Sequence, residues 1–235
     1  MANFNTHLFW AGSFSSLAAV ATTKLIDLPA NETLLLTALG TIGGILPDID
    51  LRHSTPSQML FTMFGAIASL CWLFANVLDY SALSLWGFSA LVFLIIRYPV
   101  WWAFHQFTVH RGALHSLAAA LMFALITAAL TFHIFDRSST VSWICSTFVF
   151  CGYVVHLVLD EIYSVDFMGI RIKRTFGSAL KLIDMERWMA SVTILVVCMA
   201  TWFVTPDPID AINTWKTADE EWRTLLLPEW LQEKF

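Results

Sequence analysis

The stretch VSWICSTFVFCGYVVHLVLDEIY, residues 141–163, decides the reading of this chain. It carries no Asp, Glu, Lys or Arg before Asp160, and it is long enough for a helix that must keep about 20 apolar residues in the hydrocarbon of a bilayer. Its last turns hold His156 and Asp160. Residues four apart share a helix face, about 5–6 Å apart at Cβ, close enough to share a metal or bridge two. Ionisable side chains within membrane helices cost a few kcal/mol each, so they are functional or paired.

Working outward, six more apolar segments occur at residues 8–26, 34–46, 58–78, 83–104, 113–135 and 188–204. The second is short for a span and is counted as a crossing because that makes the charges consistent. The expected fold is all-α, a polytopic membrane helix bundle of about seven hydrophobic segments. Residues 1–204 form one membrane domain, and residues 205–235 an acidic tail containing Trp215, Trp222 and Trp230. The composition agrees: 57% of residues are hydrophobic, 13% are charged, and the mean hydropathy is +0.67, far from a soluble domain. The net charge of −5 comes with no basic cluster, which argues against nucleic acid as a partner. Cys71, Cys145, Cys151 and Cys198 stand singly in apolar runs and read as small buried hydrophobes. The first apolar run has no basic region before it and reads as a retained helix.

With the N-terminus inside, the inner loops hold Arg52, Arg111, Arg171, Lys173, Arg174, Lys181 and Arg187, and the outer ones only Lys24 and Arg137. The positive-inside rule favours that orientation and places the tail outside. It also brings four groups to the same inner end: His7; Asp48, Asp50 and His53; His110 and His115; His156 and Asp160. Because only Lys and Arg set the orientation, this convergence is an independent argument for one site.

The expected metal ligands are His7, Asp48, Asp50, His110, His115, His156 and Asp160. Asp48, Asp50, His115 and Arg97 are the candidates for contact with a reacting group. Imidazole and carboxylate ligands suit zinc, manganese or iron. One or two divalent ions are expected, with zinc the default, and the chemistry is activation of water beside a polarised phosphoryl or carbonyl oxygen. Each piece also has a plainer reading. His156 and Asp160 alone make a structural hydrogen bond, Asp48 and Asp50 a capping turn, and His110 and His115 interfacial residues. Arg97, beside Pro99 inside an apolar run, needs an anion, which is either substrate phosphate or a structural ion pair. His105 faces elsewhere than His110 on a continuous helix, and His133 falls at the outer end.

At these residues the chain resembles the inner-membrane metal-dependent hydrolases of the YdjM type, related in turn to the zinc phospholipase C and P1 nuclease group. The resemblance rests on His7, Leu46-Pro47-Asp48-Ile49-Asp50, His110-Arg111-Gly112 with Leu114-His115-Ser116, and His156-Leu157-Val158-Leu159-Asp160. It implies phosphoester hydrolysis at the bacterial inner membrane; the Lys and Arg asymmetry puts the site near the cytoplasmic face, and a site opening at headgroup depth favours a lipid or lipid-linked substrate. The phospholipase group holds three zinc ions and uses its N-terminal amine and first side chain. This chain begins Met1-Ala2-Asn3, so a third metal is not expected. The competing readings are a metal-ion or proton transporter and a membrane interaction protein with a structural metal.

Overall fold

The computed structural model describes residues 3–50, 54–107, 112–166, 171–172 and 180–226. Among them the fold is all-α. The helices are α1 (Phe4–Leu25), α2 (Ala30–Gly43), α3 (Thr55–Ala75), α4 (Ala82–Ile95), α5 (Trp101–Phe107), α6 (Leu117–His133), α7 (Ser139–Ile162), α8 (Trp188–Trp202) and α9 (Ile209–Leu226). A 3-10 turn spans Leu46–Asp50, and a π-helical turn, Ile96–Val100, joins α4 to α5. Two-residue strands β1 (Val165–Asp166) and β2 (Arg171–Ile172) pair antiparallel.

Every apolar segment of the sequence contains a helix, yet among the described residues only three stretches have by themselves the length and composition to cross a membrane. These are Thr55–Ala75, Ala82–Gln106 and Ser139–Ile162; α6 and α8 are apolar but shorter. Seven is thus an approximate count of hydrophobic segments. The chain divides into two compact units, one of Met1–Pro47 with Ala113–Phe235 and the other of Asp48–Gly112.

In the first unit α7 packs on α1, α2, α6 and α9, and α6 also packs on α8. The buried residues of α1 are His7, Ala11, Ser15, Ala19 and Thr22, a stripe of small side chains at helical spacing that begins with the histidine. Small residues let membrane helices approach backbone to backbone. A methyl on Gly152 would run into the Gly40 carbonyl, one on Gly43 into the Val149 carbonyl, and one on Gly44 into the Ala11 side chain. The core cluster beside this contact is Ala19, Leu36, Ile144, Cys145 and Phe148. At the other end of α7, Trp143 Nε1 donates to the Pro206 carbonyl at 3.0 Å and Ser139 Oγ to that of Asp207. These bonds pin the lead into α9, an amphipathic helix whose Ala211 and Ala218 are buried.

In the second unit α3 packs on α4 and on the π-helical turn. Ser54 caps α3 by accepting from Ser57 N, and its hydroxyl donates to the Asp48 carbonyl at 2.8 Å. Gly65 lets the Phe93 ring and carbonyl come close.

Candidate metal centre

The first unit brings four of the expected residues together: His7 from the first turn of α1, His115 from the residue before the α6 cap, and His156 with Asp160 from α7. All four are at most 1% exposed. His7 Nε2 lies 3.4 Å from Asp160 Oδ1. His115 Nε2 and His156 Nε2 lie 3.9 and 4.0 Å from Asp160 Oδ2. The His7 and His156 rings stack with centroids 3.7 Å apart, and His115 meets His156 edge-on at 5.8 Å. Ligand atoms of His7, His156 and Asp160 all fall within 4.8 Å of one another, so the three could hold a metal ion.

The local sequence explains each placement. Asn3 caps α1 by accepting from Thr6 N at 2.9 Å, which sets the first turn and hence His7. Ser116 caps α6, accepting from Ala119 N and donating to the Ala113 carbonyl at 2.6 Å. The peptide before His115 is fastened again, because Tyr153 Oη donates to the Leu114 carbonyl at 2.5 Å. Leu117 N and Ala118 N bond the carbonyls of Lys181 and Leu182, tying residues 181–182 to the start of α6.

His156 carries the chemical information. Its Nδ1 lies 2.7 Å from the carbonyl of Gly44, at the C-terminal cap of α2. A carbonyl has no proton to give, so Nδ1 bears the hydrogen, and the ring in its neutral form presents a lone pair at Nε2. That lone pair faces a carboxylate oxygen at 4.0 Å, too far for a hydrogen bond. A ring nitrogen and a carboxylate oxygen at that separation in a buried space could share a cation. Separations of 3.4–4.0 Å suit donors that each reach about 2.0–2.2 Å to a shared ion. A ring nitrogen fixed by a backbone carbonyl while the other turns inward is the usual arrangement around a metal-bound histidine. His7 adds to the fit: among the described residues neither of its buried ring nitrogens makes a hydrogen bond.

Asp48, half-buried, and Asp50, 3% exposed, lie in the 3-10 turn at the start of the second unit. His53 and His110 lie outside the described residues. Arg97 is half-buried in the π-helical turn of the second unit. His105 Nε2 is 2.8 Å from Ser57 Oγ. His133 Nε2 donates to the Val204 carbonyl at 2.7 Å, a helix-end bond consistent with its reading as a residue apart from the site. Two positioning groups were missed by the sequence reading, Gly44 through its carbonyl and Tyr153. Only Tyr153 left a signal, standing three residues before His156 on the same helical face.

Residues 1–218 match the family model described as YdjM inner membrane protein. No curated protein matches the chain, and no solved structure does.

Proposed function

The chain belongs to the YdjM inner membrane protein family, and from that membership together with the buried cluster we propose that it is a membrane-embedded metal-dependent hydrolase. The observation that carries the reading is the fixed tautomer of His156, which aims an imidazole lone pair at the Asp160 carboxylate beside His7 and His115. We assign His7, His115, His156 and Asp160 as the core ligands of one or two divalent ions, zinc first and manganese or iron next. For Asp48, Asp50 and His110 the proposal of a ligand role rests on the sequence pattern alone. A divalent ion held by such ligands would lower the pKa of water and polarise a phosphoryl oxygen.

The residues themselves have separable tasks. Asp160 supplies negative charge, and the imidazoles supply neutral donors. The Gly44 carbonyl locks the His156 ring, and Tyr153 steadies the peptide that presents His115. Burial keeps bulk water from competing for these groups. The overall reaction adds water across a phosphoester, releasing an alcohol and a phosphate. A lipid or lipid-linked phosphoester is the proposed substrate, and the proposed location is the cytoplasmic end of a multi-pass bundle. Kinship with the zinc phospholipase C and P1 nuclease group belongs to the same proposal. The cluster draws on the first turn of α1 and the last turns of α7, that is on helix ends. A transport pathway places its polar groups near the bilayer midplane, so the placement favours hydrolysis at headgroup depth over ion transport.

The test is a metal assay on purified wild type, His156→Ala and Asp160→Ala, run beside release of phosphate or headgroup from a mixed lipid extract. Both variants are expected to keep helicity and detergent extraction while metal content and hydrolysis fall together by about tenfold or more. Full hydrolysis by metal-free Asp160→Ala protein would falsify the mechanism. A metal-loaded wild type that cleaves no ester but carries ions into proteoliposomes would replace it with transport.

A further inference from the structure

The two long apolar stretches of the second unit, Thr55–Ala75 and Ala82–Gln106, contain one Lys or Arg between them, Arg97, and no Asp or Glu. A guanidinium stays protonated and needs acceptors wherever lipid surrounds it. Among the described residues Arg97 pairs with no carboxylate. Its guanidinium carbon lies 5.2 and 5.8 Å from the ring centroids of Tyr98 and Trp101, contacts that orient the group without neutralising it.

Arg97 is held in place by the unusual backbone around it. Pro99 sits inside the π-helical turn Ile96–Val100, and such turns recur at functional sites. Trp101 Nε1 donates to Ser57 Oγ at 3.1 Å, and that oxygen lies 2.8 Å from His105 Nε2. These bonds clamp α5 to the first turns of α3. The result is an open groove of about 390 Å³ lined by Arg97 and by Thr55, Gln58, Met59, Thr62 and Met63 of α3. Thr55, Gln58 and Thr62 fall at helical spacing on one face. Thr62 gives its proton to the Gln58 carbonyl at 2.7 Å, which leaves its oxygen able to accept. Tyr98 and Trp102, flanking the turn, are 56% and 54% exposed, as aromatic residues are where helices meet headgroups.

We infer that this groove binds the phosphate of an anionic membrane phospholipid, held as a bound lipid and independently of the metal centre. The guanidinium takes two phosphate oxygens, a bidentate contact that a lysine does not reproduce. Thr55 and Gln58 donate beside it, and Thr62 accepts from a headgroup hydroxyl. The acyl chains run along the surfaces of Thr55–Ala75 and Ala82–Gln106, whose apolar windows are only 17% and 11% buried within the protein.

The experiment uses the full chain in neutral detergent, titrated with phosphatidylglycerol or with phosphatidylcholine of the same acyl chains, with bound lipid counted by native mass spectrometry. Wild type is expected to prefer phosphatidylglycerol by about tenfold. Arg97→Gln should lose the preference, Arg97→Lys should keep part of it, and Thr62→Val should weaken it a few-fold. Millimolar inorganic phosphate should leave the lipid in place. His156→Ala should lose metal yet keep the lipid preference, so failure of the hydrolase reading leaves this inference standing. An unchanged preference in folded Arg97→Gln, equal retention of the two lipids, or displacement by inorganic phosphate overturns it.

Discussion

Two regions of similar composition solve opposite problems. The α7 helix in the first unit is 56% buried along its apolar window, while Thr55–Ala75 and Ala82–Gln106 in the second are 17% and 11% buried. In α7 the polar residues Ser142, Ser146, Tyr153, His156 and Asp160 all belong to the buried face, enclosed by protein. In the second unit the apolar side chains look outward, with Phe74, Leu83 and Trp86 at 69%, 83% and 70% exposed. A bilayer must supply the surroundings that protein supplies to α7. Hydropathy alone does not tell these helices apart. What separates them is the position of small and polar residues around the helix.

The severest challenge to this contrast is a pair of glycine substitutions. Gly152 in α7 abuts the Gly40 carbonyl, and a side chain there meets backbone that cannot rotate aside, whereas Gly87 in α4 has nothing within 4 Å of a new methyl. Gly152→Val is expected to cost about 3 kcal/mol or more and to empty the metal site by separating α2 from α7. Gly87→Ala should be neutral or stabilise by roughly 0.5–1 kcal/mol, because alanine favours the helix. Thermal unfolding of both variants in one detergent measures the difference. Equal shifts would break the distinction between protein-solvated and lipid-solvated helices.

The same positions show how far the sequence could be read. Helical spacing put His156 and Asp160 on one face, and the glycines at 43 and 44 announced close backbone packing; both are visible in side-chain identity. The Gly44 carbonyl that fixes the His156 ring was invisible, since every residue offers a carbonyl and only the fold selects one. Residues 83–104 read as one apolar segment, and the structure adds a π-helical turn within it at Ile96–Val100. Pro99, which lacks a backbone N–H, was the available sign. The division at Asp48 and Gly112 falls at no Gly/Ser-rich linker or low-complexity stretch. In the tail, α9 is a regular amphipathic helix on α1 and α7. Among its described side chains the buried positions are alanines, which periodicity in large hydrophobes does not reveal.

A finer cut tests whether protein solvation of α7 serves the metal centre or only the fold. Tyr153 is fully buried, stacks on Phe123 with centroids 5.8 Å apart, and donates to the Leu114 carbonyl beside His115. Tyr153→Phe keeps the ring and removes only the donor. Stability is expected to drop by about 1 kcal/mol, while metal affinity falls about tenfold, as when groups orienting ligands are lost. Competition with a chelator reads the affinity. A variant that loses stability but binds metal as tightly as wild type would reduce Tyr153 to packing.

A test that should leave the metal centre untouched lies where the first unit meets its surroundings through a partly exposed pair. Glu32, in the first turn of α2, accepts from Arg137 Nη1 at 2.9 Å; the Glu32 side chain is 5% exposed and that of Arg137 41%. Among the described residues the second carboxylate oxygen of Glu32 is buried without a hydrogen bond, so the arginine is the main compensation for that charge. The two partners should therefore respond unequally. Glu32→Gln removes the buried charge and should cost under about 1 kcal/mol, whereas Arg137→Ala leaves a carboxylate without its cation and should cost more, about 1–2 kcal/mol after screening by solvent. The double variant should recover most of the loss, because the stranded charge is gone. Unfolding of the three variants at low and high salt measures the coupling, which should shrink with salt because Arg137 is accessible. Metal content should stay at the wild-type level in all three, since the pair lies at the opposite end of α2 from the Gly44 carbonyl that holds His156. Equal costs for the two single variants would mean that water reaches Glu32, and that burial in this unit protects the metal centre but not the far end of α2.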